Sequence, residues 1–182
     1  MKRCNWLNLG NPLYVRYHDE EWGKPQHDER RLYEMLILEC FQAGLSWECI
    51  LNKRETFRRA FCQFDIEKVA NFTPADIDRL TADPGIIRHR KKIEAAINNS
   101  RIFKSIQQEW GSFDRYIWHF TSGQPVCEPY TERTTSPLSD EISKDLKRRG
   151  MKFVGSTTIY ALLQAIGIIN AHGPECDLCP QH

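Results

Sequence analysis

Glu39 falls on the same face of a helical run as Leu32 and Leu36, seven and three residues beyond them. A carboxylate among apolar neighbours is costly unless it is paired or kept for a task. Three residues on comes Gln42-Ala-Gly-Leu-Ser-Trp47. Gly44 permits a sharp break there, and Ser46 is suited to cap a second helix, which brings Trp47 close to the end of the Glu39 helix. A buried carboxylate beside an indole face is suited to hold a flat, electron-poor ring by its edge and its face. Trp6, Tyr14, Tyr17 and Trp22 cluster ahead of these residues. They can wall a pocket over Glu39 or lie as a lid on the core.

A second constellation is basic. In Leu146-Lys-Arg-Arg-Gly-Met-Lys-Phe-Val-Gly-Ser-Thr157, Gly150 stands where a helix C-terminus wants a left-handed residue. Gly155 and Ser156-Thr157 open a following helix, whose free N–H groups suit an anion. Lys147, Arg148, Arg149 and Lys152 surround that point. With Ser139 as the expected cap of the first helix, the pattern over 139–170 resembles the helix-hairpin-helix clamp of DNA repair proteins, which grips phosphates without reading bases. An ordinary pair of helices with a solvated basic rim fits the same residues.

The third constellation is metal-like. Cys4 and His18 lie near one end of the sequence, and His172 and Cys176 near the other. Together they make the Cys₂His₂ set that tetrahedral zinc prefers, with Cys179 and His182 as rival ligands. Four protein ligands leave no open position, so such a zinc is structural.

These side chains need helices to hold them, and helical punctuation dominates the sequence. Asp28 caps an expected helix over 29–42 and Ser46 another over 47–61. Thr73-Pro74-Ala75-Asp76 is a capped start with a first-turn proline. Residues 87–108 carry Ile93, Ile97 and Ile102 along one side, 112–120 form a shorter aromatic helix, and 121–137 read as an irregular connection. No alternating strand pattern stands out, so the expected class is all-α, in one domain over 1–182. Of 182 residues, 41% are hydrophobic and 27% charged, enough for a core in a water-soluble chain. The net charge of +1 leaves any nucleic-acid contact to local patches, of which 88–92 and 144–152 are the candidates. No apolar run approaches the roughly 18 residues of a membrane span, and the first residues lack a signal peptide's apolar core. Seven cysteines, an odd number, suit a reducing cytoplasm; Cys40, Cys49, Cys62 and Cys127 read as packing residues.

Taken together, the chain resembles the 3-methyladenine DNA glycosylase I family of bacterial base-excision enzymes, within the helix-hairpin-helix glycosylase superfamily. The matching pieces are Arg3-Cys4-x-Trp6, Pro12-Leu13-Tyr14-x-x-Tyr17-His18-Asp19-x-Glu21-Trp22-Gly23, Glu39-x-x-Gln42-Ala43-Gly44-Leu45-Ser46-Trp47, Gly85-Ile-Ile-Arg88-His-Arg90, Lys152-Phe-Val-Gly155 and His172-x-x-x-Cys176. The resemblance implies one structural zinc per chain, held by Cys4, His18, His172 and Cys176, that joins segments 1–24 and 170–182. It implies that Glu39 is the catalytic acceptor, that Glu39 and Tyr17 meet the edge of the base, and that Trp47 stacks on its face. Trp6, Tyr14 and Trp22 complete the wall. Gly150, Lys152, Gly155 and Thr157 would hold the DNA backbone, with Leu45 as a wedge in the stack.

The implied activity is flipping and hydrolytic excision of 3-methyladenine from alkylated double-stranded DNA, leaving an abasic site, by a cytoplasmic monomer. Methylation at N3 makes the base cationic and a good leaving group, which suits a carboxylate and an indole. Many members of the wider superfamily carry an aspartate after the second hairpin helix. Here that stretch reads Gly167-Ile-Ile-Asn-Ala-His172. Lys152 has no Schiff-base role in this motif, so a monofunctional enzyme without lyase activity is expected. A DNA-binding module without catalysis would need the hairpin but not an acceptor beside an aromatic face.

Overall fold

The structure is a computed structural model that describes residues 1–128 and 133–180. His182 and part of the 121–137 connection lie outside the described residues. The described chain is mostly helical: α1 (Pro12–Glu20), α2 (Glu29–Gln42), α3 (Trp47–Asn52), α4 (Arg54–Ala60), α5 (Ile66–Ala70), α6 (Pro74–Ala82), α7 (Arg90–Trp110), α8 (Phe113–His119), α9 (Pro137–Arg148) and α10 (Ser156–Ala165).

The central element is α2. Asp28 accepts a hydrogen bond from the Arg31 N–H and starts the helix where the sequence indicates. Every residue from Leu32 to Phe41 is buried, so this helix has no solvent face in its second half. It packs against α3, α7, α8 and α10. Phe41, Phe57, Phe61, Phe64 and Phe72 form an aromatic chain on one side of it, with ring centroids 4.9–6.1 Å apart.

Four expectations are corrected. The all-α class gives way to a mostly helical fold with one small sheet, in which β1 (Val126–Cys127) pairs in parallel with β2 (Ile169–Asn170). Two residues per strand are too few to show alternation. Cys127, on β1, is exposed and does not pack in the core. The helix expected over 47–61 breaks at Lys53 into α3 and α4. The break turns Phe57 onto Phe41, and Arg54 onto Glu34 at 2.6 Å. The cap of α9 is Ser136 rather than Ser139. Pro137 takes the first helical position, and Ser139 closes a capping box with Ser136 while its hydroxyl meets that of Ser156 at 2.7 Å. One element was not expected at all: α1 had no counterpart in the sequence pattern, although Asn11 caps it and Pro12 opens it.

The expected starts at Thr73 and Ser112 hold, and α7 begins at Arg90, capped by His89. The 88–92 patch is divided on folding: Arg88 and Lys91 stay exposed, Arg90 pairs with Asp78 and Glu94, and Lys92 is buried.

Candidate functional site

Three elements bring a pocket together. From α2 come Glu39 and Gln42, from α1 Tyr14 and Tyr17, and from the first turn of α3 Trp47. Trp6, Trp22 and Arg133, with Ala161 and Gln164 of α10, complete the lining of a cavity of about 280 Å³. All six aromatic and acidic residues expected at the pocket are therefore there. Gln42, Arg133, Ala161 and Gln164 were not anticipated. The apolar spacing of α10 reads as core, and nothing in it marks which flank meets a cavity.

Local geometry explains the assembly. In α1, Tyr14, Tyr17 and His18 are three and four residues apart and so share a side. The Ser46 hydroxyl accepts from the Cys49 N–H at 3.2 Å and starts α3, while Gly44 turns the chain at φ 81°. Tyr17 lies against Trp47, with ring centroids 5.2 Å apart. Trp6 meets Tyr14 at 5.4 Å and Trp22 at 4.9 Å.

The polar groups of the pocket are held open. Glu39 is 3% exposed, and its Oε2 has no hydrogen-bond partner among the described residues. The indole Nε1 of Trp47 is likewise buried and unpartnered. Burial pushes the Glu39 carboxyl up to about 8. Burial also raises Tyr14 to about 12 and Tyr17 well above the ordinary phenol range, so both stay protonated at neutral pH. Buried polar groups without partners are rare and expensive. An acceptor on Glu39 and a donor on Trp47 in one cavity mark a place where a ligand supplies the missing partners.

Directly behind this wall, Cys4, His18 and Cys176 place their ligand atoms within 4.8 Å of one another. His18 turns Nδ1 to the Asp19 carboxylate at 2.8 Å, which leaves Nε2 facing Cys4 and Cys176. Arg3 holds Asp19 in turn and, with His18, keeps its carboxyl down at about 2. That carboxylate–histidine arrangement is the outer shell that metal-binding imidazoles use. His172 lies edge-on to His18 at 5.1 Å, gives Nδ1 to Asn170, and keeps a buried, unpartnered Nε2. Burial and neighbouring positive charge lower it to about 4, so it is a neutral donor. Gly23 is needed here: a Cβ at that position would stand 2.8 Å from the His172 ring. His172, expected as the fourth ligand, and the rival Cys179 both stand outside the three-residue group. The donor set fits a metal ion of the zinc type. The same rings reach the pocket, since Trp6 packs on His18 at 5.5 Å and Trp22 on His172 at 4.6 Å.

The basic segment lies between α9 and α10. Gly150 takes φ 97°, as a left-handed helix terminus requires. Gly155 caps α10 with open space around its Cα, and Lys152 and Thr157 are exposed. Phe153 takes φ 56°, a conformation that costs an L residue roughly 1–2 kcal/mol. The segment is held in that shape by Asn99, which donates to the Lys152 carbonyl and accepts from its N–H at 2.8 Å each, and by Asn98 on the Gly150 carbonyl at 3.0 Å. Leu45, in the turn before Trp47, is 39% exposed. The two asparagines were invisible to sequence reasoning because α7 reads there as a polar face.

Comparison with known proteins adds the following. Residues 6–179 match the family model described as methyladenine glycosylase. The chain is 45% identical to DNA-3-methyladenine glycosylase 1 of Escherichia coli (strain K12), over 99% of this chain and 98% of that one. A crystal structure of a 3-methyladenine DNA glycosylase I superposes with TM-score 0.94 at 44% identity, covering 98% of this chain and all of the other. A tyrosine-to-phenylalanine variant of such an enzyme, in complex with 3-methyladenine, superposes with TM-score 0.93 at 39% identity over the whole of both chains.

Proposed function

The chain belongs to the methyladenine glycosylase family, and from that premise we propose that it hydrolytically excises 3-methyladenine from alkylated duplex DNA and leaves an abasic site. The observation that carries this reading is the unpartnered Glu39 Oε2 in an aromatic cavity. A base in the duplex cannot be reached, so it is flipped into the pocket. There Glu39 accepts from its edge, Tyr17 adds a neutral phenol, and Trp47 lies on its face. Trp6, Tyr14 and Trp22 close the wall.

Methylation at N3 leaves the base cationic while it is attached to the sugar. A buried carboxyl raised to about 8 ionises readily against that charge and has little to offer a neutral adenine. As the bond to C1′ breaks, its electrons pass to the ring and neutralise it, and water adds to C1′ and releases a proton to solvent. Glu39 is catalytic in this electrostatic sense. Among the described residues the pocket lining offers no lysine for a Schiff base, which supports hydrolysis without a lyase step.

The 149–155 turn and the start of α10 act as a helix-hairpin-helix clamp on the DNA backbone, through Gly150, Lys152, Gly155 and Thr157. Leu45 enters the stack as the base leaves it. Cys4, His18, Cys176 and His172 hold one structural zinc, with Asp19 and Asn170 orienting the two imidazoles. When bound, that ion supplies cross-linking of segments 1–24 and 170–182, and no chemistry on the base. The five cysteines outside the zinc set are free thiols, which suits a cytoplasmic enzyme, and it works as a monomer.

The test is chromatographic release of free base from N-methylated duplex DNA. Release of 3-methyladenine is expected, with a fall of about a hundredfold in Glu39→Gln. Equal release by the variant would overturn the role of Glu39. Release of uracil or an oxidised neutral purine at a comparable rate would overturn the selectivity, and a borohydride-trapped covalent adduct would overturn the monofunctional assignment.

A further inference from the structure

Lys92 belongs to the basic run 88–92, yet it does not face solvent. Its ammonium donates to the carbonyls of Phe41 and Ala43, at 2.7 and 2.6 Å. Those are among the last carbonyls of α2, which a helix leaves without internal partners. Ala43 begins the turn that carries Leu45 and leads to Trp47. On its other side the ammonium lies 5.9 Å from the ring of Phe153, the left-handed residue between Lys152 and Gly155.

Seven residues along the same face of α7, Asn99 grips the backbone of Lys152 and donates to the Cys40 sulfur at 3.6 Å. One helix face therefore touches both the end of α2 and the basic segment, at two successive levels. Burying a lysine ammonium is costly, and here the carbonyls and the ring offset that cost. A leucine or methionine would fill the same space without it.

We propose that Lys92 is a positioning residue for base flipping, one that fixes the Leu45 turn in register with the backbone clamp at 150–155. Flipping requires a wedge and a clamp to act on the same stretch of DNA, and an offset of about 1 Å can cost a hundredfold in rate. The ammonium supplies that register from inside the protein rather than by touching DNA. The inference rests on the reading of Leu45 as the wedge.

The experiment is single-turnover excision from a duplex that carries one 3-methyladenine, for Lys92→Met, Leu45→Ala and the double variant. Affinity for the free base, from tryptophan fluorescence, is measured in parallel. The expected result is a fall of about tenfold or more in duplex excision for Lys92→Met, with free-base affinity within about twofold of the parent. The double variant should be no slower than the slower single one, because both changes remove the same wedge. Unchanged excision by Lys92→Met, an equal loss of free-base affinity, or additive losses would each overturn the proposal. If Leu45→Ala alone is harmless, the wedge reading falls and this inference falls with it. If Leu45→Ala slows excision and Lys92→Met does not, only this inference falls. Should Lys92→Met not fold, Lys92→Gln, which keeps one donor for Ala43, replaces it. Failure of both to fold would make Lys92 a core residue and also overturn the proposal.

Discussion

Helix α2 buries two glutamates five residues apart and treats them in opposite ways. Glu34 is 5% exposed and meets Arg54 at 2.6 Å and Arg58 at 2.9 Å. Arg54 in turn reaches Glu21 at 2.8 Å, so that side of α2 is a closed network of charge. Glu39 is as deeply buried, yet its Oε2 has no hydrogen-bond partner among the described residues, and burial drives its carboxyl up to about 8. Burial alone thus does not distinguish a structural carboxylate from a working one. Compensation does: a fold completes what it uses for itself and leaves incomplete what a ligand completes.

The largest expected effect lies on the compensated side. Arg54→Met leaves Glu34 buried with only its outer partner, and breaking a buried pair in this way costs about 3–5 kcal/mol. Urea unfolding at neutral pH should show that loss, while the folded fraction still excises base at the parental rate. A loss of activity beyond the loss of folded protein would mean that the two sides of α2 are not separate, and the contrast would fail.

The next effect has the opposite sign. The Glu39 carboxyl titrates near 8 in the folded protein and near 4.5 in its ordinary state. The folded state therefore holds the proton more tightly. Its contribution to stability is complete below about pH 4.5 and is lost as pH rises through about 8. Glu39→Gln removes that dependence. The variant should gain on the parent by on the order of 3 kcal/mol between about pH 5 and about pH 9, read by unfolding at each pH. A gain that does not grow with pH would show that Glu39 has a compensating partner and is not the counterpart of Glu34 that it appears here.

The incomplete donor set behind the pocket sharpens the same contrast. His172 Nε2 is unpartnered like Glu39 Oε2, and the imidazoles of His18 and His172 lie against Trp6 and Trp22. Metal analysis should find about one zinc per chain. Its removal by a chelator should lower the melting temperature by about 5 °C or more and weaken free-base binding by about threefold, through the two tryptophans. A protein that melts and binds identically after chelation would show that the four side chains hold no ion that matters.

Much of this was legible in the sequence for local reasons. Asp28, Ser46, Thr73 and Ser112 are caps that act within one turn, and each marks an observed helix start. The pocket residues lay in motifs dense with aromatics, so their gathering could be anticipated. What escaped depends on distant partners. Lys92 reads as part of a wet basic face, and only the docking of the α2 terminus turns it inward. Asn98 and Asn99 look like solvent residues until the 149–155 turn arrives. Helix α1 hides because its inner face is made of Tyr14, Tyr17 and His18, which face a pocket and a donor cluster rather than an apolar core.

The smallest effect carries the comparison to the surface. Lys92 and Lys152 both flank Phe153, but the ammonium of Lys92 is bound by carbonyls, whereas Lys152 is held through its backbone and its side chain is exposed. If an uncompensated charge marks a ligand contact here too, Lys152→Ala should weaken binding to undamaged duplex by a few-fold, with no dependence on sequence. It should also reduce the slope of log affinity against log salt by about 1. Thermal stability should not change, since the Asn99 clamp uses only the backbone of residue 152. An unchanged salt slope would confine the rule to the interior. On an exposed surface water compensates any charge, so only a measured loss of counterion release can tell a phosphate contact from a solvated side chain.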